Sequence, residues 1–471
     1  MRIEKDGLGE KEIPDNAYYG IHTQRAIENF PISGYRLHPE FIKAFAQVKK
    51  ACALVNTELG YMEEKIGKAI VQACNDLING ELHTQIKVDP LQGGAGTSTN
   101  MNFNEVIANR AIEILGGERG DYEIVHPLHH VNMHQSTNDV YPTALKIATL
   151  NLLKRLEEEV AKLQEAFQIK EQEFKNVVKL GRTELQDAVP ITLGMEFGAY
   201  AEAIARDRWR IFKARERIKI INLGGTAVGT GLGAPRKYIF KVTEKLRELT
   251  GLNIARAENL VDATQNMDIF VEVSGMLKAY AANLFKIAGD LRLLGSGPHG
   301  GIAEIKIPPV QPGSSIMPGK VNPVILEAVQ QVALKVIGND NVITLVASLG
   351  QLELNQFIPL LAHSLLESLE ILINTTKILR TKCVEFIEPD SEKCLEYVIK
   401  SKTIATVLVP ILGYKKVEEI VKKAMKQRKG IKEILIEDKI MSDEQVEKLL
   451  SAKRMYKLGF TEDEYDEFKR N

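Results

Sequence analysis

The chain has 471 residues, with 61 Lys and Arg against 62 Asp and Glu and a formal charge of -1. That length suits about two to four domains with a sizeable core. The even balance of charge excludes a global attraction to nucleic acid or to an anionic membrane, so any anion must be bound locally.

The opening "MRIEKDGLGEKEIPD" (residues 1–15) lacks the apolar core of a signal peptide. No later window offers about twenty uncharged apolar residues, so the reading is a soluble, unprocessed protein with no membrane partner. Cys52, Cys74, Cys383 and Cys394 are too far apart or wrongly spaced for CxxC chemistry. Free buried thiols of a reducing cytoplasm are expected, and neither a disulfide framework nor structural zinc.

The first forty residues mix turn formers with short apolar pieces, and helical periodicity takes over from Pro39 to Asn79. "QGGAGTSTNMN" (92–102) follows, a loop whose glycines let the backbone approach a ligand and whose Thr97, Ser98, Thr99 and Asn100 supply neutral donors. A phosphate cradle is the competing reading. It fails because neither GxxxxGK[ST] nor a GxGxxG between strand and helix is present. "HPLHHVNMHQSTNDVYPT" (126–143) joins clustered histidines to Ser136, Thr137 and Asn138. His126, His130 and His134 recur every fourth residue and could line one helix face, as a metal site would require. With no HExxH and no convergent carboxylates, the preferred reading is polar packing beside a site.

A long amphipathic helix is expected from Pro142 to Asn176, its apolar seam being Leu153, Leu156, Val160, Leu163 and Phe167. "GRTELQDAVPIT" (181–192) reads as a polar loop before the next helix, with Thr183 or Asp187 as its ordinary N-cap. Further helices are expected over 191–221, 259–294, 323–350 and 357–387, and in the second of these Leu277, Ala281, Leu284, Ala288 and Leu291 form one seam. Rods of roughly thirty residues are about 45 Å long at about 1.5 Å per residue. They seldom hide their apolar faces in one monomer, so a bundle shared between subunits is expected.

Between two of these helices stands "GSSIMPGKVNPV" (313–324), where glycine and proline frame Ser314, Ser315, Lys320 and Asn322. After Glu388 come short lysine-rich helices, one with a Ser442/Gln445 capping box in "MSDEQVEKLLSAKR" (441–454). Loops rich in hydroxyls and amides, all flanking core helices, ask for a shared ligand. Many hydrogen-bond donors with one cation, Lys320, fit a small dicarboxylate.

"GSSIMPGKVNP", "GAGTSTNMN", "STND" and "GRTELQDAVP" together resemble the aspartase/fumarase superfamily over nearly the whole chain. Within it, "DNAYYGIHTQRAIENFPIS" (15–33), "HVNMHQSTNDVYPT" and "LQDAVPITLGMEF" are most similar to the aspartate ammonia-lyases, with class II fumarases second. The resemblance implies a mainly α, three-domain fold, which we place at residues 1–139, 140–390 and 391–471. It implies a homotetramer whose central domains build a twenty-helix core and whose active sites are each shared by three subunits. The implied reaction is reversible deamination of L-aspartate to fumarate and ammonia, through proton abstraction by a serine base and an aci-carboxylate intermediate. Ser314 matches the base, and Thr97, Ser136, Thr137 and Ser315 match the cradle of the carboxylate on which charge builds. Thr183, Lys320 and Asn322 match the holders of the other carboxylate, and Asn138 matches a contact to the amino group. No cofactor is required by this resemblance, and activation by Mg2+ is left open.

Two positions depart from the family. Glu184 stands where fumarases carry histidine and aspartases histidine or glutamine; a carboxylate there would repel malate and attract an ammonium group, unless it pairs with Arg182 in a structural role. Leu128 and His129 replace polar positions of the His-Pro-Asn-Asp-Asp run that forms a second dicarboxylate site in fumarases, so that accessory site is expected to be absent or altered. The loop from Ser314 to Asn322 is expected to close over substrate.

Overall fold

The computed structural model describes residues 1–449, 451, 454 and 458–463. Among them the chain is mostly helical, with four small two-stranded sheets. Its residues group into two compact units. One holds Met1–Glu158, Arg208–Ala282 and Val332–Ile373, and the other Glu159–Asp207, Asn283–Gln331 and Asn374–Asn471.

In the first unit an antiparallel hairpin, β1 (Arg2–Asp6) and β2 (Gly9–Ile13), precedes α1 (Ile21–Asn29). The first N–H groups of α1 have no helical acceptor, and buried carboxylates replace one: Glu105 takes the N–H groups of Gly20, His22 and Thr23, and Glu4 that of Ile21. α2 (Pro39–Glu58) starts where Pro39 sits in the first turn and His38 Nδ1 accepts the Glu40 N–H. α3 (Glu64–Asn79) stops at Gly80, whose φ of 93° is the left-handed cap. α4 (Thr97–Ile114) follows, and then a single π-helical turn, Pro127–Val131.

α5 (Thr137–Glu173) begins five residues before the expected Pro142, which lies inside it. Proline deprives the carbonyl four residues earlier of its donor. Here that carbonyl belongs to Asn138, and the Asn222 side chain supplies the missing N–H at 3.0 Å. The seam from Leu153 to Phe167 is fully buried, as the periodicity implied.

"GRTELQDAVPIT" is not a capping loop. It folds as a hairpin of β3 (Val178–Thr183) and β4 (Gln186–Thr192) in the second unit. α6 (Leu193–Arg217) is capped instead by Thr192, whose Oγ1 accepts the Met195 N–H at 3.2 Å. β5 (Ile220–Ile221) pairs in parallel with β6 (Ala255–Arg256) on either side of α7 (Arg236–Thr250). The helix expected over 259–294 is two: α8 (Leu260–Gln265), capped by Asn259, and α9 (Asp268–Leu294), in which the seam from Leu277 to Leu291 is buried. β7 (Ile305–Lys306) pairs with β8 (Glu388–Pro389), and between them run α10 (Val324–Ser348) and α11 (Ile358–Lys382).

Short helices α12 (Ser391–Lys400), α13 (Val409–Leu412), α14 (Tyr414–Gln427), α15 (Ile431–Glu437) and α16 (Asp443–Leu449) close the described chain around Ile404, Leu408, Ile420, Ile434 and Val446. The capping box is formed on both sides, Gln445 N–H to Ser442 Oγ and Ser442 N–H to Gln445 Oε1. The end of that expected helix, at 450 and 452–453, lies outside the described residues. All four cysteines are free and buried. No helix among the described residues is long and apolar enough to cross a membrane.

Candidate active site

Thr97 is placed by a backbone reversal in which Gly94, Ala95 and Gly96 all have positive φ, at 84°, 53° and 89°. Glycine is required at 96, because a Cβ there would lie 2.4 Å from the Tyr141 ring. The reversal sets Thr97, exposed, at the first position of α4. One turn on, the buried Asn100 donates its amide to Thr137 Oγ1 at 3.1 Å, so the two polar loops meet.

Ser136 caps α5. Its Oγ accepts the Asn138 N–H at 3.2 Å, and Asp139 returns a carboxylate to the Ser136 N–H at 3.0 Å. Asn138 donates its side-chain N–H to the Ala227 carbonyl at 2.7 Å, which leaves its Oδ1 as the open acceptor. Ala227 belongs to a stretch, 224–233, with five glycines in ten residues. That stretch was not singled out from the sequence, although its glycine density was the available signal. Asp139 ties it down by accepting the N–H groups of Gly224 and Thr226. Burial pushes the Asp139 carboxyl up to about 6, opposed by these backbone donors.

The histidines serve this region as caps. Backbone N–H groups of Leu128 and of His126 donate to Nδ1 of His126 and His130 respectively, so each neutral ring carries its proton on Nε2. Burial lowers both below the ordinary histidine value. His134 does not share their face: its φ is 61°, and its Nδ1 lies 2.7 Å from Asn56 Oδ1. Among the described residues no three His, Cys, Asp or Glu side chains are arranged to hold a metal ion.

In the second unit the β3–β4 hairpin carries Thr183 and Glu184 at its exposed tip. Glu184 and Leu185 are the two central residues of the turn, with φ of 54° and 63°. Tight hairpins place glycine or asparagine at such positions, so the tip holds strain. Its root is rigid: Arg182 Nη1 lies 2.9 Å from both oxygens of the fully buried Glu304, and Lys179 Nζ lies 3.2 Å from Glu304 and Glu196. Arg182 is thus engaged by Glu304 and not by Glu184. Ser401 and Thr403 bond Asp187 and the Ala188 carbonyl, holding the outer strand.

The glycine-framed loop closes on itself. The Gly313 N–H donates to the Lys320 carbonyl and Asn322 Nδ2 to the Gly313 carbonyl, each at 2.8 Å. A Cβ at 313 would sit 2.8 Å from that Lys320 oxygen, which explains the glycine. Within the closed loop Ser314 Oγ accepts the N–H groups of Ile316 at 3.2 Å and Met317 at 3.0 Å. Ser315 and Lys320 are exposed beside it. Thr97, Ser136, Thr137 and Asn138 therefore belong to the first unit, and Thr183, Glu184, Ser314, Ser315, Lys320 and Asn322 to the second.

A family described as "Lyase" matches residues 9–338, and one described as "Fumarase C C-terminus" matches 404–457. The chain is 50% identical over 455 residues to an aspartate ammonia-lyase of a Bacillus species, covering 97% of each chain. It is 43% identical over 458 residues to that of Escherichia coli strain K12, covering 97% of this chain and 96% of the relative. Among solved structures, fumarate lyase:delta crystallin from Brucella melitensis bound to cobalt has a TM-score of 0.93 at 46% identity, covering 97% of this chain and all 100% of that one. Recombinant class II fumarase from Schistosoma mansoni has 0.91 at 35% identity, covering 96% and 98%. The chain belongs to the lyase family of the aspartase/fumarase superfamily.

Proposed function

We propose that this protein is an aspartate ammonia-lyase that removes ammonia reversibly from L-aspartate to give fumarate. The observation that carries the reaction is 43% to 50% identity, over nearly the full chain, to relatives curated under that activity. The hard step is taking the proton next to a carboxylate, since the second negative charge develops on that same group.

Ser314 is the base in this reading. An alkoxide is far too basic to form unaided, and two backbone N–H groups aimed at Oγ stabilise it as its proton leaves. Thr97, Ser136, Thr137 and Ser315 donate to the carboxylate that becomes the dianion. Thr183, Lys320 and Asn322 hold the other carboxylate; the Asn322 amide also clamps Gly313, so it sets the loop as well. Asn138 Oδ1, left open by the bond to Ala227, accepts from the substrate ammonium. Glu184, unpaired with Arg182, adds a negative charge that suits the same ammonium and disfavours malate.

The assembly is a homotetramer that brings the loops together across subunits. It is supported by the exposed stripe Leu334, Gly338, Asn341 and Leu345 on α10, which repeats at helical spacing and has no use on a lone helix. The three segments 1–139, 140–390 and 391–471 are its domains, and the reducing cytoplasm its compartment, as four free buried thiols suit. The chemistry needs no cofactor.

The test is ultraviolet absorbance of fumarate after adding purified protein to L-aspartate and, separately, to L-malate, with Mg2+ or with a chelator. Fumarate from aspartate is expected. Fumarate from malate alone would make the protein a fumarase and overturn the reading.

A further inference from the structure

Lys49 lies in α2 among Phe45, Val48, Cys52 and Val55, and none of its surface is exposed. Burial pushes its ammonium down to about 8, with Cys52, Cys74 and Asp139 the charged or titratable groups around it. A desolvated cation that costs stability would be expected to give way to a packed apolar residue unless it does something else. Its hydrogen bonds show where it reaches. Nζ donates to Asn132 Oδ1 at 3.1 Å and to Gln135 Oε1 at 2.9 Å. Asn132 Oδ1 also accepts from Asn100 Nδ2 at 3.1 Å and from Asn104 Nδ2 at 3.2 Å. Asn100 Nδ2 in turn donates to Thr137 Oγ1 at 3.1 Å.

The order of donors matters. A threonine hydroxyl that accepts an N–H keeps its own proton for another acceptor, and the Asn100 bond therefore fixes Thr137 as a donor. The ammonium, an obligate donor, fixes Asn132 Oδ1 as the shared acceptor, and that oxygen turns the Asn100 amide so that its Nδ2 also faces Thr137.

Resting on the ammonia-lyase reading above, we propose that Lys49 is a positioning residue for that reaction, acting through Asn132 and Asn100 to present the Thr137 hydroxyl to the substrate carboxylate on which charge builds. Asn132 and Asn100 are links of the same relay. Because the charge appears only as the proton leaves, loss of the relay lowers turnover more than it weakens substrate binding.

Turnover and KM for aspartate are measured in wild type, Lys49→Met, Thr137→Val and the double variant, with thermal unfolding of each. Lys49→Met is expected to lower kcat about 10- to 100-fold, with KM within about threefold, as for loss of a transition-state donor. In the Thr137→Val background the same change should cost less than about twofold, since the relay then has nothing to present. Full additivity in that cycle, or an unchanged kcat in folded Lys49→Met, overturns the proposal. If Lys49→Met does not fold, Asn100→Asp decides: it keeps the size but replaces the N–H that Thr137 accepts with a carboxylate oxygen able to take the Thr137 proton, and an unchanged kcat there overturns the relay. A wild-type protein that forms no fumarate from aspartate sinks the reading beneath it instead.

Discussion

The carboxylate of Asp139, fully buried, accepts the backbone N–H of Thr226 at 3.0 Å, while its other oxygen holds the N–H of Ser136. One side chain thus joins the helix start that carries Ser136, Thr137 and Asn138 to the glycine-rich stretch that holds Asn138. The sign of its titration follows from burial, which raises the folded value to about 6. An unfolded aspartate titrates at about 3.9, so between the two the native state keeps the proton more tightly. Its contribution to stability is fully present below about 3.9 and is lost as pH rises through about 6, roughly 3 kcal/mol at about 1.36 kcal/mol per unit. Asp139→Asn cannot ionise. In urea unfolding from about pH 4 to pH 7, wild type should lose about that much relative to the variant; parallel curves would show that the carboxyl does not titrate there.

Ser314 gives the sharpest separation of chemistry from stability. Its only hydrogen bonds among the described residues are to two exposed turn residues, Ile316 and Met317, so the fold depends little on its hydroxyl. Ser314→Ala should therefore leave the melting temperature within about 2 °C, a surface-sized effect. Loss of a general base should cost about 10²- to 10⁴-fold in kcat. A variant with more than about a tenth of wild-type turnover would remove Ser314 from the base role.

Helical seams and the glycine-framed loop were legible because each has a local signature, a period of three and four or a run of breakers. What was not legible depends on partners far away in sequence. Pro142 reads as a helix start until Asn222 is known to satisfy the Asn138 carbonyl 84 residues away. The four-residue spacing of His126, His130 and His134 suggests one face, but His134 takes a left-handed φ that no spacing reveals. The hairpin at 178–192 hides because Glu184 and Leu185 occupy positions where glycine or asparagine would have signalled a turn. Lys49 could have been found: it falls on the apolar stripe of α2, four residues after Phe45 and three before Cys52.

The proposed subunit contact on α10 can be tested by placing charge in it. Leu334 and Leu345 are 57% and 63% exposed and lie eleven residues, about three turns, apart on one face. Apolar residues so arranged are suited to a neighbouring helix, and a charge buried there without a partner is costly. Leu334→Glu with Leu345→Glu should convert the particle from about four chain masses to smaller species in light scattering, with loss of fumarate production. An unchanged mass would place the contact on another face.

Glu184 combines two effects that different substitutions separate. Its carboxylate is proposed to attract the substrate ammonium, and Glu184→Gln, which keeps size and backbone, should raise KM for aspartate several-fold with little change in stability, as for about 1 kcal/mol of lost attraction. Its neighbour Leu185 is 70% exposed at φ 63°, a conformation that costs a β-carbon residue about 1–2 kcal/mol and glycine almost nothing. Leu185→Gly should then stabilise the hairpin by up to about 1 kcal/mol, because glycine's greater freedom in the unfolded chain offsets part of the relief. Measured together, KM should respond to position 184 and thermal unfolding to position 185. If Glu184→Gln leaves KM unaltered while Leu185→Gly raises it, the tip acts by shape and the carboxylate has no part in choosing an amino substrate.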